Sequence, residues 1–306
     1  LNGATIEFRY KSFKIPPPRF RKQKLREKSE ITCVYTNLNR PIKRKLQLLV
    51  DNFPEADFFL ICELDCELED FTSQRVVPLG FTLVTGKSYF HEGSDIVSVA
   101  IVFRECWRDC FKIMYKHKFM LSCYFTQNEY NMRINLCVTY RPCLNSFRWK
   151  LIGDERFFCD DLRKLLKTQE KVPSLFAGDL NFDIRRAIHL SEEIETSDYR
   201  ALFNNYKFLS NKSTFRKITK RKTEAATAPD LVASLNLDVK QTNHYNGNAY
   251  CNNDGHDVIE VELMTTMDNI IGHTIINKIP KLDKSALFRF LWALESHIRH
   301  EYAILR

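Results

Sequence analysis

No uninterrupted apolar run in this 306-residue chain approaches the roughly 20 residues that a bilayer-spanning helix needs, so no membrane partner is expected. The start, Leu1-Asn2-Gly3-Ala4, lacks both an initiator methionine and the apolar core of a secretory signal. The expectation is a fragment of a longer polyprotein. The ten cysteines include no tight Cys-x-x-Cys pair, and no His-x-x-x-His pair accompanies them. Cys62 and Cys66, like Cys106 and Cys110, have three residues between them, which argues against a zinc site. Several thiols, among them Cys33, Cys62 and Cys137, fall inside predicted strands. That pattern fits buried free thiols in a reducing compartment, hence an intracellular protein of nucleus or cytoplasm. What is present is a composition 44% hydrophobic and 12% aromatic, enough for one large core or two modest ones and too apolar for a disordered chain.

Charge is unevenly placed. Leu1 to Glu30 carries nine Lys or Arg against three Glu, or +6, and Tyr206 to Lys222 carries seven and no acid, or +7. Against a formal net charge of +8, the remainder is left with about −5. Two basic blocks on a mildly acidic body point to a polyanionic partner, with phosphate contacts supplying affinity without sequence information. Each block taken singly also reads as a solvated tail or loop. The segment 1–30, with Pro16-Pro17-Pro18 and no periodic apolar pattern, reads as an arm or linker. A folded domain is expected over 31–266, and a linker with a closing helix over 267–306.

Within that domain, polar residues recur at the ends of apolar runs. Ile31 to Asn37 is β-branched and aromatic and ends in an amide. Asp57 to Glu63 is nearly continuous in apolar residues, typical of a strand buried on both faces, and ends in a carboxylate. Ser174-Leu175-Phe176-Ala177-Gly178 leads into Asp179-Leu180-Asn181-Phe182-Asp183. If the extended backbone continues past Gly178, then Asp179, Asn181 and Asp183 lean the same way. A carboxylate and a carboxamide so placed can hold a metal-bound water and a phosphate oxygen. Taken alone, the segment also reads as a turn. Further strands are expected at Phe81 to Thr85, Val97 to Phe103, Phe119 to Phe125 and Ile134 to Thr139. Another begins at Pro229-Asp230, and the last runs from Val258 to Leu263, just after His256. Leu46, Leu49, Val50 and Phe53 mark one helix, and Phe157 to Leu166 a second. A third starts at Ser191, whose hydroxyl can cap it, with Glu192 and Glu193 in its first turn. Leu287, Leu291, Leu294 and Ile298 form one stripe of a closing helix. The basic block from Lys212 to Lys222, between the Asn181 and Asp230 segments, is expected as a loop at the rim of a cleft.

Asn37, Glu63, Tyr140, Asp179, Asn181, Asp230 and His256 thus stand in a fixed order at strand ends. With Val99 to Glu105, Tyr140-Arg141-Pro142, Gly178 to Asn181 and Pro229 to Val232, this order resembles the endonuclease/exonuclease/phosphatase superfamily. Within it the sequence looks most like the apurinic-endonuclease-like domain of non-LTR (LINE-type) retrotransposons, and Lys281 to Leu287 is similar to the linker that follows it there. The resemblance covers roughly Ile31 to Leu263. It implies an α+β fold, a four-layer α/β sandwich of two packed mixed β-sheets flanked by helices (DNase I-like). It also implies a Mg²⁺- or Mn²⁺-dependent nick in DNA, made for a reverse transcriptase that follows in the parent polyprotein. Glu63, helped by Asn37, would hold the metal, and Asp179 would orient or deprotonate the attacking water. Asp230 would orient His256, which with Tyr140 would stabilise the transition state. Asn181, Arg141, Lys212 and Arg216 would contact phosphate or substrate.

The sequence departs from that pattern in places. Where the superfamily has Ser-Asp-His, this chain reads Asp254-Gly255-His256, so a glycine replaces a metal-environment aspartate. Asp254 or Asp257 could replace it only through a local shift, and a strand-end carboxylate moved by one residue usually faces the wrong way. Val97-Ser98 stand where paired glycines are expected, and Cys62 where a glutamine is common. Three functions follow: a DNA-nicking endonuclease, a phosphoesterase of the same fold acting on a small substrate, or a catalytically impaired nucleic-acid-binding relic.

Overall fold

The structure, a computed structural model, describes residues 30–39, 42–72, 76–127, 132–144, 146–168, 172–182, 199, 201–210, 212–218, 224–251 and 255–264. Residues 1–29 of the expected arm, Asp183, Asp254, the start of the Ser191 helix, and the linker and closing helix after 266 lie outside these.

The strands in chain order are β1 (Glu30–Asn37), β2 (Phe58–Glu67), β3 (Phe81–Thr85), β4 (Tyr89–His91) and β5 (Ser94–Arg104). Next come β6 (Phe111–Lys116), β7 (Met120–Gln127), β8 (Met132–Tyr140), β9 (Ser174–Asp179) and β10 (Lys207–Phe208). A hairpin of β11 (Phe215–Ile218) and β12 (Glu224–Thr227) precedes β13 (Asp230–Leu235), β14 (Asp238–Tyr245) and β15 (Val258–Met264). Seven strands form one sheet in the order β14-β15-β1-β2-β5-β3, with β4 also on β5. Six form the other in the order β10-β13-β9-β8-β7-β6. Each sheet is mixed, because β1–β2 and β8–β9 run parallel while the other pairs are antiparallel.

Alternation along β2 explains the layering. Phe58, Leu60 and Cys62 face the second sheet, packing with Tyr35, Ile101 and Phe103 against Leu121, Phe125, Leu136, Val138 and Leu175. Phe59 and Ile61 point the other way, onto Ile42, Leu46 and Leu49 of helix α1 (Ile42–Asn52). The strand is therefore apolar on both faces, as its unbroken hydrophobic run requires. On the far side, α4 (Glu155–Lys167) sets Phe158, Leu162 and Leu165 on Met120, Cys137 and Phe176. Each such buried side chain is worth about 1.5–3 kcal/mol over leaving it in water. Asp154 caps α4 by accepting from Arg156 N at 2.9 Å. Three short helices, α2 (Leu68–Thr72), α3 (Phe147–Lys150) and α5 (Gly247–Cys251), complete the flanks. The result is a helix–sheet–sheet–helix sandwich.

Four differences from the sequence reading have physical causes. β6 and β14 escaped it because edge and surface strands expose much of their length and carry no apolar run. The basic block is a β-hairpin in part, not a plain loop. The extended backbone stops at Asp179, where β9 ends, and Asn181 turns to φ +54°. Asp179 and Asn181 therefore do not share a face by strand alternation. The fourth concerns Arg141 and belongs to the site.

Candidate active site

The topology brings selected strand ends together. The parallel pairs place Asn37 beside Cys62, just before Glu63, and Tyr140 beside Asp179. Antiparallel β13 begins opposite Asp179 with Asp230, and β15 begins two residues after His256. At the rear of one pair only glycine fits position 178 without displacement, since a Cβ there would lie 2.3 Å from Thr139 Cγ2 and 2.6 Å from Thr139 O.

Glu63 reaches the cleft through an irregularity in β2. Pairing with β5 jumps from Cys62–Val99 to Cys66–Val97, and within the jump Glu63 and Asp65 take φ +51° and +44°. Left-handed backbone at non-glycine residues is a cost retained where it aims a functional side chain. The Glu63 carboxylate accepts from Asn37 Nδ2 at 2.6 Å and from the Tyr140 hydroxyl at 3.1 Å. The same Asn37 nitrogen donates to Asp179 Oδ2 at 2.8 Å and lies 3.4 Å from His256 Nε2. His256 Nδ1 is 3.0 Å from Asp230 Oδ2, and Asp230 Oδ1 accepts from the Tyr35 hydroxyl at 2.8 Å. Asn37, Glu63, Tyr140, Asp179, Asp230 and His256 thus converge.

Burial sets the charges. It opposes an ionised Tyr140, and the Glu63 charge adds to this, so the phenol stays protonated as a donor. Asp179 is pushed up, first by burial and then by Asp230. Burial disfavours a charged His256, but Asp230, Asp179 and Glu63 outweigh it and lift the ring to about 9. One donor atom each from Glu63, Asp179 and His256 lie within 4.8 Å of one another, with the Asn37 amide nitrogen among them. Two carboxylates facing a partial positive charge fit a divalent cation.

Asn181 flanks this centre. Its backbone N–H donates to Asp179 Oδ1 at 2.8 Å, its Nδ2 to Arg141 O at 2.6 Å, and its Oδ1 accepts from Cys143 Sγ at 3.0 Å. Arg141 does not take its expected place. Its guanidinium is not presented to a phosphate: it is buried, bonded to Glu155 through Nε at 2.9 Å and Nη2 at 2.5 Å. It is also covered by Trp149 and Phe182, and it donates to Leu180 O at 3.3 Å. A buried guanidinium needs a carboxylate, and the first residue of α4 supplies one. Lys212 is exposed, and Arg216 lies on β11 opposite Ala226. The hairpin base supports the imidazole: Phe215 pairs with His256, their rings 4.7 Å apart, and Thr214 O accepts from Asp257 N at 2.7 Å. Asp257 turns its carboxylate to His244, 3.9 Å away, and Gly255 stands at φ +100°.

Sequence reasoning missed a second layer. Arg148 on α3 forms a close ion pair with Asp65, and its Nη1 lies 3.9 Å from Glu63 Oε1. Tyr89 joins by donating to Asp65 at 3.4 Å, 3.0 Å from Ser98 Oγ. Asp65, a second acid two residues past Glu63, was the available signal. Arg148 had none, because a four-residue helix offers no period.

The two-sheet sandwich has the fold of solved endonuclease/exonuclease/phosphatase proteins. The endonuclease domain of TRAS1, a telomere-specific non-LTR retrotransposon, superposes with a TM-score of 0.55 at 13% identity, over 76% of this chain and 98% of that one. The AP endonuclease LMAP from Leishmania major gives 0.57 at 11%, over 77% and 88%. An endonuclease/exonuclease/phosphatase family protein from Leptotrichia buccalis gives 0.53 at 13%, over 76% and 99%. No family model and no curated protein sequence matches the chain. Among the described residues no helix is long and apolar enough to cross a membrane.

Proposed function

We propose that the chain is a divalent-metal-dependent endonuclease that nicks DNA. The observation that carries this is the meeting of Asn37, Glu63, Tyr140, Asp179 and His256 around one amide nitrogen. Glu63, Asp179 and Asn37 would hold Mg²⁺ or Mn²⁺, which when bound neutralises charge on the scissile phosphate. Asp179 takes the proton of a water whose oxygen attaches to phosphorus as the bond to the 3′ oxygen breaks. Solvent then protonates that oxygen. The product is a 3′-hydroxyl, the end a reverse transcriptase extends. His256, turned by Asp230, and the neutral Tyr140 counter the charge that grows on the phosphoryl oxygens. Asn181 orients the phosphate from its mooring on the Arg141 carbonyl. Lys212 and the hairpin bring backbone phosphates to the cleft, and that contact is read as a salt-dependent affinity.

A supercoiled-plasmid assay tests this. Nicking is expected with Mg²⁺ or Mn²⁺, none with chelator, and a fall of ~10²–10⁴-fold in Asp179→Ala. Plasmid retardation without nicking under every metal would leave a binding relic instead.

A further inference from the structure

The route by which His256 acts can be read one step further, on the footing that the cleft binds a cation. We propose that His256 Nε2 is itself a cation ligand, making a two-carboxylate, one-imidazole centre that takes Mn²⁺ and its transition-metal neighbours in preference to Mg²⁺.

Three observations carry this. The first is position. The Asn37 amide nitrogen, a weak positive pole, is in contact with Glu63 Oε2 at 2.6 Å, Asp179 Oδ2 at 2.8 Å and His256 Nε2 at 3.4 Å. The same three side chains supply the donor atoms that lie within 4.8 Å of one another. The amide nitrogen marks the point where their donors converge, and a half-turn of the carboxamide would bring its oxygen there as a fourth donor.

The second is the ring's mooring. Asp230, buried and held by Tyr35 at 2.8 Å, takes Nδ1 at 3.0 Å. With Nδ1–H kept by Asp230, a cation that displaces the other ring proton would meet the Nε2 lone pair on the side of the carboxylates. A carboxylate behind an imidazole is the usual support of a metal-bound histidine, fixing its tautomer and strengthening its donor nitrogen. Phe215 against the ring limits its rotation.

The third is the path of the chain before His256. At φ +100°, Gly255 occupies backbone that L side chains rarely adopt. The glycine is thus a different course of the main chain, not an aspartate trimmed on an unchanged one. On the other side, Asp257 points to His244. Gly255 itself offers no carboxylate, and His256 is the residue of this segment whose donor atom stands with those of Glu63 and Asp179. Oxygen-only sites suit Mg²⁺, whereas a nitrogen donor moves preference toward first-row transition ions.

The test is Mn²⁺ titration of the whole chain followed by pulsed EPR. The expected results are ¹⁴N coupling from a directly bound imidazole and its loss in His256→Gln. That variant should also show a Mn²⁺ Kd raised ~10–100-fold, while the Mg²⁺ Kd, measured by competition, moves far less. Bound Mn²⁺ without ¹⁴N coupling overturns the assignment, as does a His256→Gln variant that weakens both metals equally. Should His256→Gln fail to fold, the wild-type ¹⁴N signal decides alone. Nicking measured on the same samples separates the two readings. Nicking without ¹⁴N coupling retains the nuclease and removes the ligand; ¹⁴N coupling without nicking under any metal does the reverse.

Discussion

Each sheet sends one parallel strand pair to the cleft, and the two pairs arrive in different condition. In the second sheet β8 and β9 stay in register to the last partners, Tyr140 and Asp179, pressed together where Gly178 meets Thr139. In the first, β2 loses register after Cys62, and Glu63 and Asp65 stand in left-handed backbone. One half of the site is rigid because the ladder runs intact beneath it. The other is strained, and Arg148 reaches across from α3 to hold it by Asp65. The acid on the regular side takes its position from packing, whereas Glu63 depends on a clamp made by other side chains.

Three comparisons separate the halves. The largest effect is expected from Arg148→Met, which leaves the buried Asp65 carboxylate without its cation and costs about 3 kcal/mol by denaturant unfolding. Adding Asp65→Asn should recover part of that loss; equal stability of single and double variants would show that the clamp does not act through Asp65. Gly178→Ala comes next. Its Cβ meets Thr139 backbone as well as a methyl group, so β8 and β9 must part, at about 2 kcal/mol. A change under about 0.5 kcal/mol would mean the regular half is looser than its contacts imply. The smallest effect is a comparison of glycine with alanine at each acid. At position 63 glycine should be the more stable by about 1 kcal/mol, since both remove the side chain and only glycine fits φ +51°. In strand β9, at position 179, alanine should win by ~0.5–1 kcal/mol. The same sign at both positions in thermal melts would dissolve the contrast.

The same contrast explains what could be read from sequence. Tyr140, Asp179 and Asp230 follow from strand endings because the strands beneath them are regular, and an apolar run stopping at a polar residue marks such an end. Glu63 was legible as the end of a run, but the irregularity that aims it was not, since nothing local announces left-handed backbone at Glu63 or Asp65. Asn181 fails the alternation rule for the same reason, yet still reaches the Asp179 carboxylate by its backbone N–H. Arg141 was expected on phosphate from the family resemblance, and only the fold reveals that Glu155, fourteen residues on, claims it. Strands β6 and β14 draw their stability from ladder partners, which no window of their own sequence contains.

One feature of the first sheet bears on how the molecule comes into being. Strand β1, which carries Asn37, is bonded along its length to β15, and Glu30 faces Met264 across that seam. Opening and closing lips of the cleft therefore belong to the earliest and latest of the described strands. A ribosome must release nearly all of it before Asn37 and His256 can meet, so a nascent or prematurely ended chain carries the parts of the centre without the centre itself.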